Sequence, residues 1–163
     1  MSTAVLSIGS NLGDRLAHLQ GAVDAMRPYV VAVSAIYETA PWGPVPQDDF
    51  LNAVVIARDD DAVPDTWLQR AHAAEQQAHR TRDQRWGPRT LDVDVVSVDD
   101  ICSADPNLTL PHPRARERAF VLVPWRAVDP NATLDSTPVA DLVAALPADE
   151  VAGVVPRPDL VLS

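Results

Sequence analysis

The chain contains 163 residues, and its 23 acidic and 13 basic side chains give a formal net charge of −10. Because 47% of the residues are hydrophobic, the composition excludes a disordered chain, and the length suits one domain spanning residues 1–163. All 13 basic residues are arginine, and the acidic balance argues against nucleic-acid binding driven by net charge.

Cysteine content and the N-terminal sequence bear on the cellular compartment. Cys102 has no second cysteine with which to form an internal disulfide. The first residues carry neither a basic segment nor a long apolar run, and no stretch approaches the roughly 18 apolar residues of a membrane-spanning helix. We therefore expect a cytoplasmic protein without a membrane partner; that it is a monomer is a separate expectation.

The first predicted elements are a strand at residues 4–8 and a helix after the turn-forming residues 9–14. Apolar residues recur at spacings of three and four from Leu16 to Met26, which places them on one helical face. Pro28 ends this pattern.

Three further strands and a second helix complete the predicted core. Residues 30–37, 50–57 and 90–98 are rich in β-forming side chains, and a helix begins at Pro64 between the last two. The order β-α-β-β-α-β predicts an α+β, ferredoxin-like fold, in which two helices pack on a mainly antiparallel sheet. The loop at residues 39–49, with its three prolines, is either a binding loop or a stiff connector.

The remaining third of the chain is interpreted as a C-terminal elaboration of the same domain. Short helices are predicted near residues 123–128 and 139–146, and no linker-like change of composition separates them from the core.

Asp92 and Asp94 form the sharpest local motif. Residues two apart in a strand project to the same face, so the carboxylates converge while Leu91, Val93 and Val95 face the core. Paired oxygen ligands suit Mg²⁺, which keeps water ligands and shares the phosphate oxygens of a substrate. The pair alone is also typical of a solvent-exposed strand face.

Arginines are concentrated just before this strand, at Arg80, Arg82, Arg85 and Arg89. Guanidinium groups bind phosphate oxygens bidentately, so this cluster beside the acid pair indicates a nucleotide site; a solvated basic stretch is the alternative. His112 could donate to phosphate or transfer a proton. Without lysine there is no P-loop, and no nucleophile elbow occurs, so covalent catalysis is not expected.

Several segments together resemble the 6-hydroxymethyl-7,8-dihydropterin pyrophosphokinase family of folate biosynthesis. They are residues 8–14 (IGSNLGD), 37–44 (YETAPWGP), 50–52 (FLN), 85–94 (RWGPRTLDVD), 110–113 (LPHP) and 118–120 (RAF). The run at 85–94 is the most specific of them.

The resemblance implies a diphosphotransferase that moves the β,γ-diphosphate of ATP to the hydroxymethyl oxygen of a reduced pterin and releases AMP. It also implies two Mg²⁺ ions, ATP as co-substrate, and a ferredoxin-like fold. Catalysis in such a site comes from positioning and electrostatics rather than from a protein nucleophile.

The resemblance also assigns roles by position. Metal binding falls to Asp92 and Asp94, which join Arg80, Arg82 and Arg89 in the catalytic set. The residues implied for the pterin are Thr39, Ala40, Pro41, Trp42, Phe50, Asn52, Trp86 and Phe120. Those implied for ATP are Glu75, Arg82, Trp86, Arg89, Thr109, His112 and Arg118.

In the pterin set, Phe50 and Phe120 would stack on the ring while Asn52 hydrogen-bonds its amide edge. Core packing is the alternative interpretation of the two phenylalanines.

Two other functional classes stay open on the sequence. One is a ferredoxin-like regulatory module that binds nucleotide without turnover, which the acid pair and the arginines disfavour. The other is a metal-dependent nucleic-acid enzyme, which the net charge and the lack of an extended basic face disfavour.

Overall fold

The computed structural model describes residues 2–41, 44–78 and 90–163. In these ranges the elements follow in chain order as β1 (Thr3–Ser10), α1 (Arg15–Met26), β2 (Val30–Val33), β3 (Tyr37–Thr39), β4 (Phe50–Arg58), α2 (Pro64–Gln77), β5 (Asp92–Val98), β6 (Ser103–Asp105), β7 (Leu108–Leu110), α3 (Ala119–Val128), β8 (Thr133–Leu134), β9 (Thr137–Pro138), α4 (Val139–Ala145), α5 (Ala148–Ala152) and β10 (Val155–Pro156). The helices pack on a mainly antiparallel sheet, so the α+β prediction is confirmed.

The main sheet has the strand order β10-β3-β4-β1-β5, and β2 also pairs with β4. All of these pairings are antiparallel. The predicted strand at 30–37 is two short strands, because Ser34 interrupts the ladder. The Ser34 hydroxyl accepts the Val54 N–H at 2.9 Å, and its own N–H donates to the Val54 carbonyl at 2.9 Å.

One face of the sheet packs on α1 and α2, as predicted, and is called here the helix-pair face. Leu6 and Ile8 of β1 lie there against Leu19 of α1 and Trp67 of α2, and all four are nearly inaccessible to solvent. The buried residues of this face are called the first core. The Trp67 indole N–H donates to the Ser2 hydroxyl at 2.8 Å.

The opposite face packs on α3 and is called the α3 face. Val5 and Val54 alternate with the residues of the helix-pair face and form a second core with Leu122 and Trp125. This helix begins at Ala119, earlier than the predicted 123. The C-terminal elaboration therefore covers the second face of the sheet, giving three layers.

The last residues return to the main sheet. β10 pairs with β3, and Leu160 and Leu162 pack against the first core. The Arg157 guanidinium contacts the Glu38 carboxylate at 3.0 Å. No helix in the described ranges is long and apolar enough to cross a membrane.

Candidate active site

Three adjacent strands bring the site residues to one end of the α3 face. Gly9 of β1 lies opposite Asn52 of β4 on one side and opposite Asp92 of β5 on the other. Since neighbouring strands are about 4.8 Å apart, the Asn52 and Asp92 backbones are separated by about 10 Å. Phe50 and Asp94 lie two residues along their strands from these positions and share the same face.

The acid pair has the orientation that the alternation predicts. Val93 and Val95 are buried in the first core, whereas Asp92 and Asp94 are half-buried on the other side of β5. The Arg118 guanidinium lies 3.8 Å from the Asp94 carboxylate.

The donor set fits a divalent ion that is shared with a substrate. In the described ranges, no three His, Cys, Asp or Glu side chains are grouped so that they could hold a metal by themselves. Two carboxylates suit Mg²⁺, which completes its coordination with water and phosphate oxygens. Asp92 and Asp94 are the residues that would hold it.

A cavity of about 420 Å³ adjoins the acid pair at the outer edge of β5, within the size range of small-molecule sites. It brings together five of the predicted residues. They are Glu75, Asp92, Asp94, Thr109 and His112.

Further residues of the cavity wall were not among the predicted site residues. Leu68 and His72 of α2 line it beside Glu75, and Asn107 and Leu108 line it from the β6–β7 hairpin. The helical spacing of four and three residues from Leu68 to His72 to Glu75 was a signal that could have found the first two.

His112 is held between the sheet edge and the cavity. Its backbone N–H donates to the Val96 carbonyl at 2.8 Å, and its Nδ1 accepts the Arg114 N–H at 3.2 Å. Burial lowers the pKa of His112, as do the nearby charges of Arg118 and Arg114, while Asp92 acts in the opposite direction. A neutral imidazole whose Nδ1 is an acceptor carries its proton on Nε2, where it can donate to a ligand.

Glu75 is buried against the edge strand. Glu75 is only 4% exposed, and its carboxylate accepts the Val93 backbone N–H at 3.1 Å. The residue implied for ATP thus also has a structural contact, with the backbone between the two aspartates.

Three of the residues implied for the pterin, Thr39, Phe50 and Asn52, lie together on the other side of Gly9. The Asn52 amide donates to the Thr39 hydroxyl at 2.7 Å, in a buried contact between β4 and β3. A Cβ atom at Gly9 would lie 3.0 Å from Asn52 Oδ1 and 3.5 Å from Phe50 Cδ1. Glycine therefore leaves open the space between these two side chains. Phe120 is half-buried against the second core, with the Arg118 guanidinium 5.5 Å from its ring centroid.

The loop after β3 is fastened to the start of α1, which the sequence did not indicate. Asn11, a buried residue, donates to the Gln47 side chain at 2.7 Å and to the Asp48 carbonyl at 2.8 Å. Arg15 donates to the Asp49 carbonyl at 3.1 Å. Ala40 is exposed in this loop and Pro41 is partly buried. The asparagine among the turn formers at residues 9–14 was the only sequence signal for these contacts, and its burial is seen only in the structure.

Five of the predicted residues lie outside the part of the chain that the structure describes. They are Trp42, Arg80, Arg82, Trp86 and Arg89.

Fold and site together define a class: an α+β protein with ferredoxin-like strand order, an acid pair on one sheet face, and a small-molecule cavity beside it. The model of the 7,8-dihydro-6-hydroxymethylpterin-pyrophosphokinase family matches residues 5–130. This chain belongs to that family.

Curated relatives agree with this membership. A Mycobacterium tuberculosis protein named 2-amino-4-hydroxy-6-hydroxymethyldihydropteridine pyrophosphokinase is 49% identical over 163 residues, covering 91% of this chain and 87% of its own. A Mycobacterium leprae protein of the same name is 54% identical over 144 residues, covering 82% and 75%.

Solved structures support the fold. The crystal structure of Plasmodium falciparum HPPK-DHPS wild type with SDX-DHP superposes with a TM-score of 0.69 at 14% identity. The match covers 88% of this chain and 44% of that one, so this chain spans less than half the length of that protein. At this identity the likeness concerns the fold alone.

Proposed function

We propose that this chain transfers diphosphate from ATP to the hydroxymethyl group of 6-hydroxymethyl-7,8-dihydropterin, giving AMP and the pterin diphosphate for folate biosynthesis. Membership of the pyrophosphokinase family and the names of its relatives support this activity.

The observation that carries the proposal is that Asp92 and Asp94 lie between two regions, which we propose to be the ATP and pterin subsites. The cavity lined by His112 lies on one side, and the contact between Asn52 and Thr39 lies across Gly9 on the other. A phosphate chain that runs from the cavity toward Asn52 would pass the acid pair. This is the arrangement that in-line transfer between a nucleotide and a second small molecule requires.

Two Mg²⁺ ions held by Asp92 and Asp94 would offset the phosphate charge and lower the proton affinity of the attacking hydroxyl. The protein itself supplies positive charge from Arg118, 3.8 Å from Asp94, and a donor at His112. A side chain that acts as a strong base would not be needed if bound Mg²⁺ acidified the hydroxyl. Glu75 and Thr109 contribute further contacts on the ATP side.

On the pterin side, the Asn52 amide donates one hydrogen to Thr39. Its carbonyl oxygen and second amide hydrogen would bond to the edge of the pterin ring. Phe50 and Phe120 provide flat apolar faces for stacking. Ala40 and Pro41 contribute wall contacts from the loop that Asn11 fastens.

The residues outside the described ranges complete the proposal on sequence resemblance. Arg80, Arg82 and Arg89 would close over the triphosphate, and Trp42 and Trp86 would cover the pterin. One domain over residues 1–163, a monomeric state and a cytoplasmic location stay predictions.

The test is incubation of the chain with ATP, Mg²⁺ and the reduced hydroxymethylpterin, followed by nucleotide chromatography. AMP that forms only when the pterin is present supports the proposal. ADP would indicate transfer of a single phosphoryl group, and no turnover would indicate a binding module; either result contradicts it.

A further inference from the structure

The outer edge of β5 is held by groups that do not belong to a strand. β5 is the last strand of the main sheet, so β1 pairs with only one of its sides. On the other side, Glu75 accepts the Val93 N–H at 3.1 Å, and the His112 N–H donates to the Val96 carbonyl at 2.8 Å. An unpaired sheet edge presents free backbone groups and is easily distorted, and these two contacts occupy such groups.

The Glu75 contact acts on the peptide that joins the two acid positions. Backbone groups of alternate residues in an antiparallel strand point to opposite sides. Because the Val93 N–H points outward to Glu75, the backbone groups of Asp92 and Asp94 point inward to β1. Glu75 and β1 therefore hold the backbone of β5 from both sides at the residue that separates the two aspartates.

The pairing of β5 with β1 is irregular close to this point. A second restraint on the β5 backbone would therefore limit distortion of the strand. The register between β1 and β5 shifts at Val5 and Leu6, where Val96 is an extra residue in β5. Such a bulge bends the strand and increases its twist. If Glu75 fixes the Val93 amide, the bend at Val96 would not change the backbone positions of Asp92 and Asp94.

We propose that Glu75 is a positioning residue that sets the separation of Asp92 and Asp94 by holding the Val93 amide. The inference rests on the proposed function, since it concerns how the acid pair receives divalent ions. In this role the Glu75 carboxylate affects metal binding through its hydrogen bond to the strand backbone. A direct contact with metal or nucleotide would instead depend on the negative charge of Glu75.

Two conservative variants separate these roles. Glu75→Gln keeps the side-chain length and an oxygen that accepts the Val93 N–H, but removes the charge. Glu75→Asp keeps the charge, but its shorter side chain does not reach the Val93 N–H. Gln76→Ala is the control, because Gln76 is exposed on the same helix.

The measurements are amide hydrogen exchange at Val93, Mn²⁺ affinity by electron paramagnetic resonance with a non-hydrolysable ATP analogue, and kcat for AMP formation. We expect Glu75→Gln to keep the Val93 exchange rate and the Mn²⁺ affinity of the parent chain, and Gln76→Ala to resemble the parent chain in all three measurements. Glu75→Asp should exchange faster at Val93 and bind Mn²⁺ about 10- to 100-fold more weakly, the range for groups that orient metal ligands. If Glu75→Asp does not fold, Glu75→Met, which keeps the volume without a strong acceptor, takes its place.

The positioning role is overturned if Glu75→Gln loses Mn²⁺ affinity although its Val93 N–H exchanges as slowly as in the parent chain, because the charge of Glu75 would then matter rather than its contact with Val93. It is equally overturned if neither variant changes Mn²⁺ affinity. A parent chain that forms no AMP contradicts the proposed function instead, while Val93 exchange and Mn²⁺ affinity still decide the role of Glu75.

Discussion

Gly9 lies between the two proposed subsites, and its lack of a side chain leaves the space beside Asn52 and Phe50 open. A Cβ atom there would meet Asn52 Oδ1 at 3.0 Å and Phe50 Cδ1 at 3.5 Å, on the pterin side. We expect Gly9→Ala to raise KM for the pterin by about 10-fold or more, the loss associated with a displaced positioning group, while KM for ATP changes less. Steady-state kinetics with each substrate varied in turn measures this difference.

Gly21 is the matched control for this substitution. It lies within α1, and a Cβ atom there would have no neighbour within 4 Å. Gly21→Ala should leave both KM values unchanged and stabilise the protein by about 0.5–1 kcal/mol, since glycine is unfavourable in a helix. An equal rise in both KM values for Gly9→Ala would show a general distortion rather than a blocked pterin subsite.

Asp94 is the second residue at which a small substitution tests the proposed site. Asp94→Asn keeps the shape of the side chain and one oxygen but removes the charge that would offset a divalent ion. We expect kcat to fall by about 10²- to 10³-fold, as for other electrostatic groups of an active site, with little change in the thermal midpoint. Asp100→Asn, in the exposed turn after β5, should retain parental activity. A kcat for Asp94→Asn that is close to the parent's would remove Asp94 from the metal site.

Between elements, the Glu38 carboxylate joins β3 to the C-terminal tail and to α1. Arg15 and Arg157 both contact it, and the hydrogen bond from Arg15 is the main reason that the pKa of Glu38 is lowered from its ordinary 4.5. Because the folded state favours the charged form, this contribution to stability is complete above pH 4.5 and is lost as the pH falls through the lower, folded-state pKa.

We therefore expect Glu38→Gln to be less stable than the parent at about pH 7, with the difference shrinking as the pH falls below the ordinary pKa of a glutamate. Thermal unfolding of both proteins across this range measures the effect. The loss should be accompanied by faster hydrogen exchange in β10, which pairs with Glu38 and Tyr37. A difference that grows on acidification would contradict this assignment.

At the scale of the whole molecule, Leu122 tests whether the C-terminal third belongs to the same cooperative unit. It is fully buried in the second core, beneath the sheet residues Val5 and Val54. Leu122→Ala should lower the free energy of unfolding by about 2–5 kcal/mol and leave a single transition in denaturant. Leu12→Ala, at a residue 45% exposed, should change it by less than about 0.5 kcal/mol. Two separate transitions in the parent would contradict the one-domain prediction.

Much of the core could be predicted because its signals are local. Helical spacing places α1 and α2, and the period of two in β5 places Asp92 and Asp94 on the face opposite Val93. The interruption at Ser34 could not be predicted, because it depends on a hydroxyl that bonds to Val54 on another strand.

Contacts between distant segments set the limit of sequence reasoning here. The Val155–Pro156 strand is too short to show a periodic pattern, and it pairs with residues more than a hundred positions earlier. The fastening of the loop by Asn11 and the contact of Glu75 with Val93 likewise join separate elements. The resemblance to the family implies the roles of the site residues, and the structure shows how Asn52, Glu75 and His112 are held.

The most direct test of the proposed site is a crystal structure of the chain with Mn²⁺, a non-hydrolysable ATP analogue and the hydroxymethylpterin. Anomalous scattering should locate Mn²⁺ against both Asp92 and Asp94, with the nucleotide in the cavity beside His112 and the pterin at Asn52. Metal and nucleotide bound away from these two carboxylates would contradict the account.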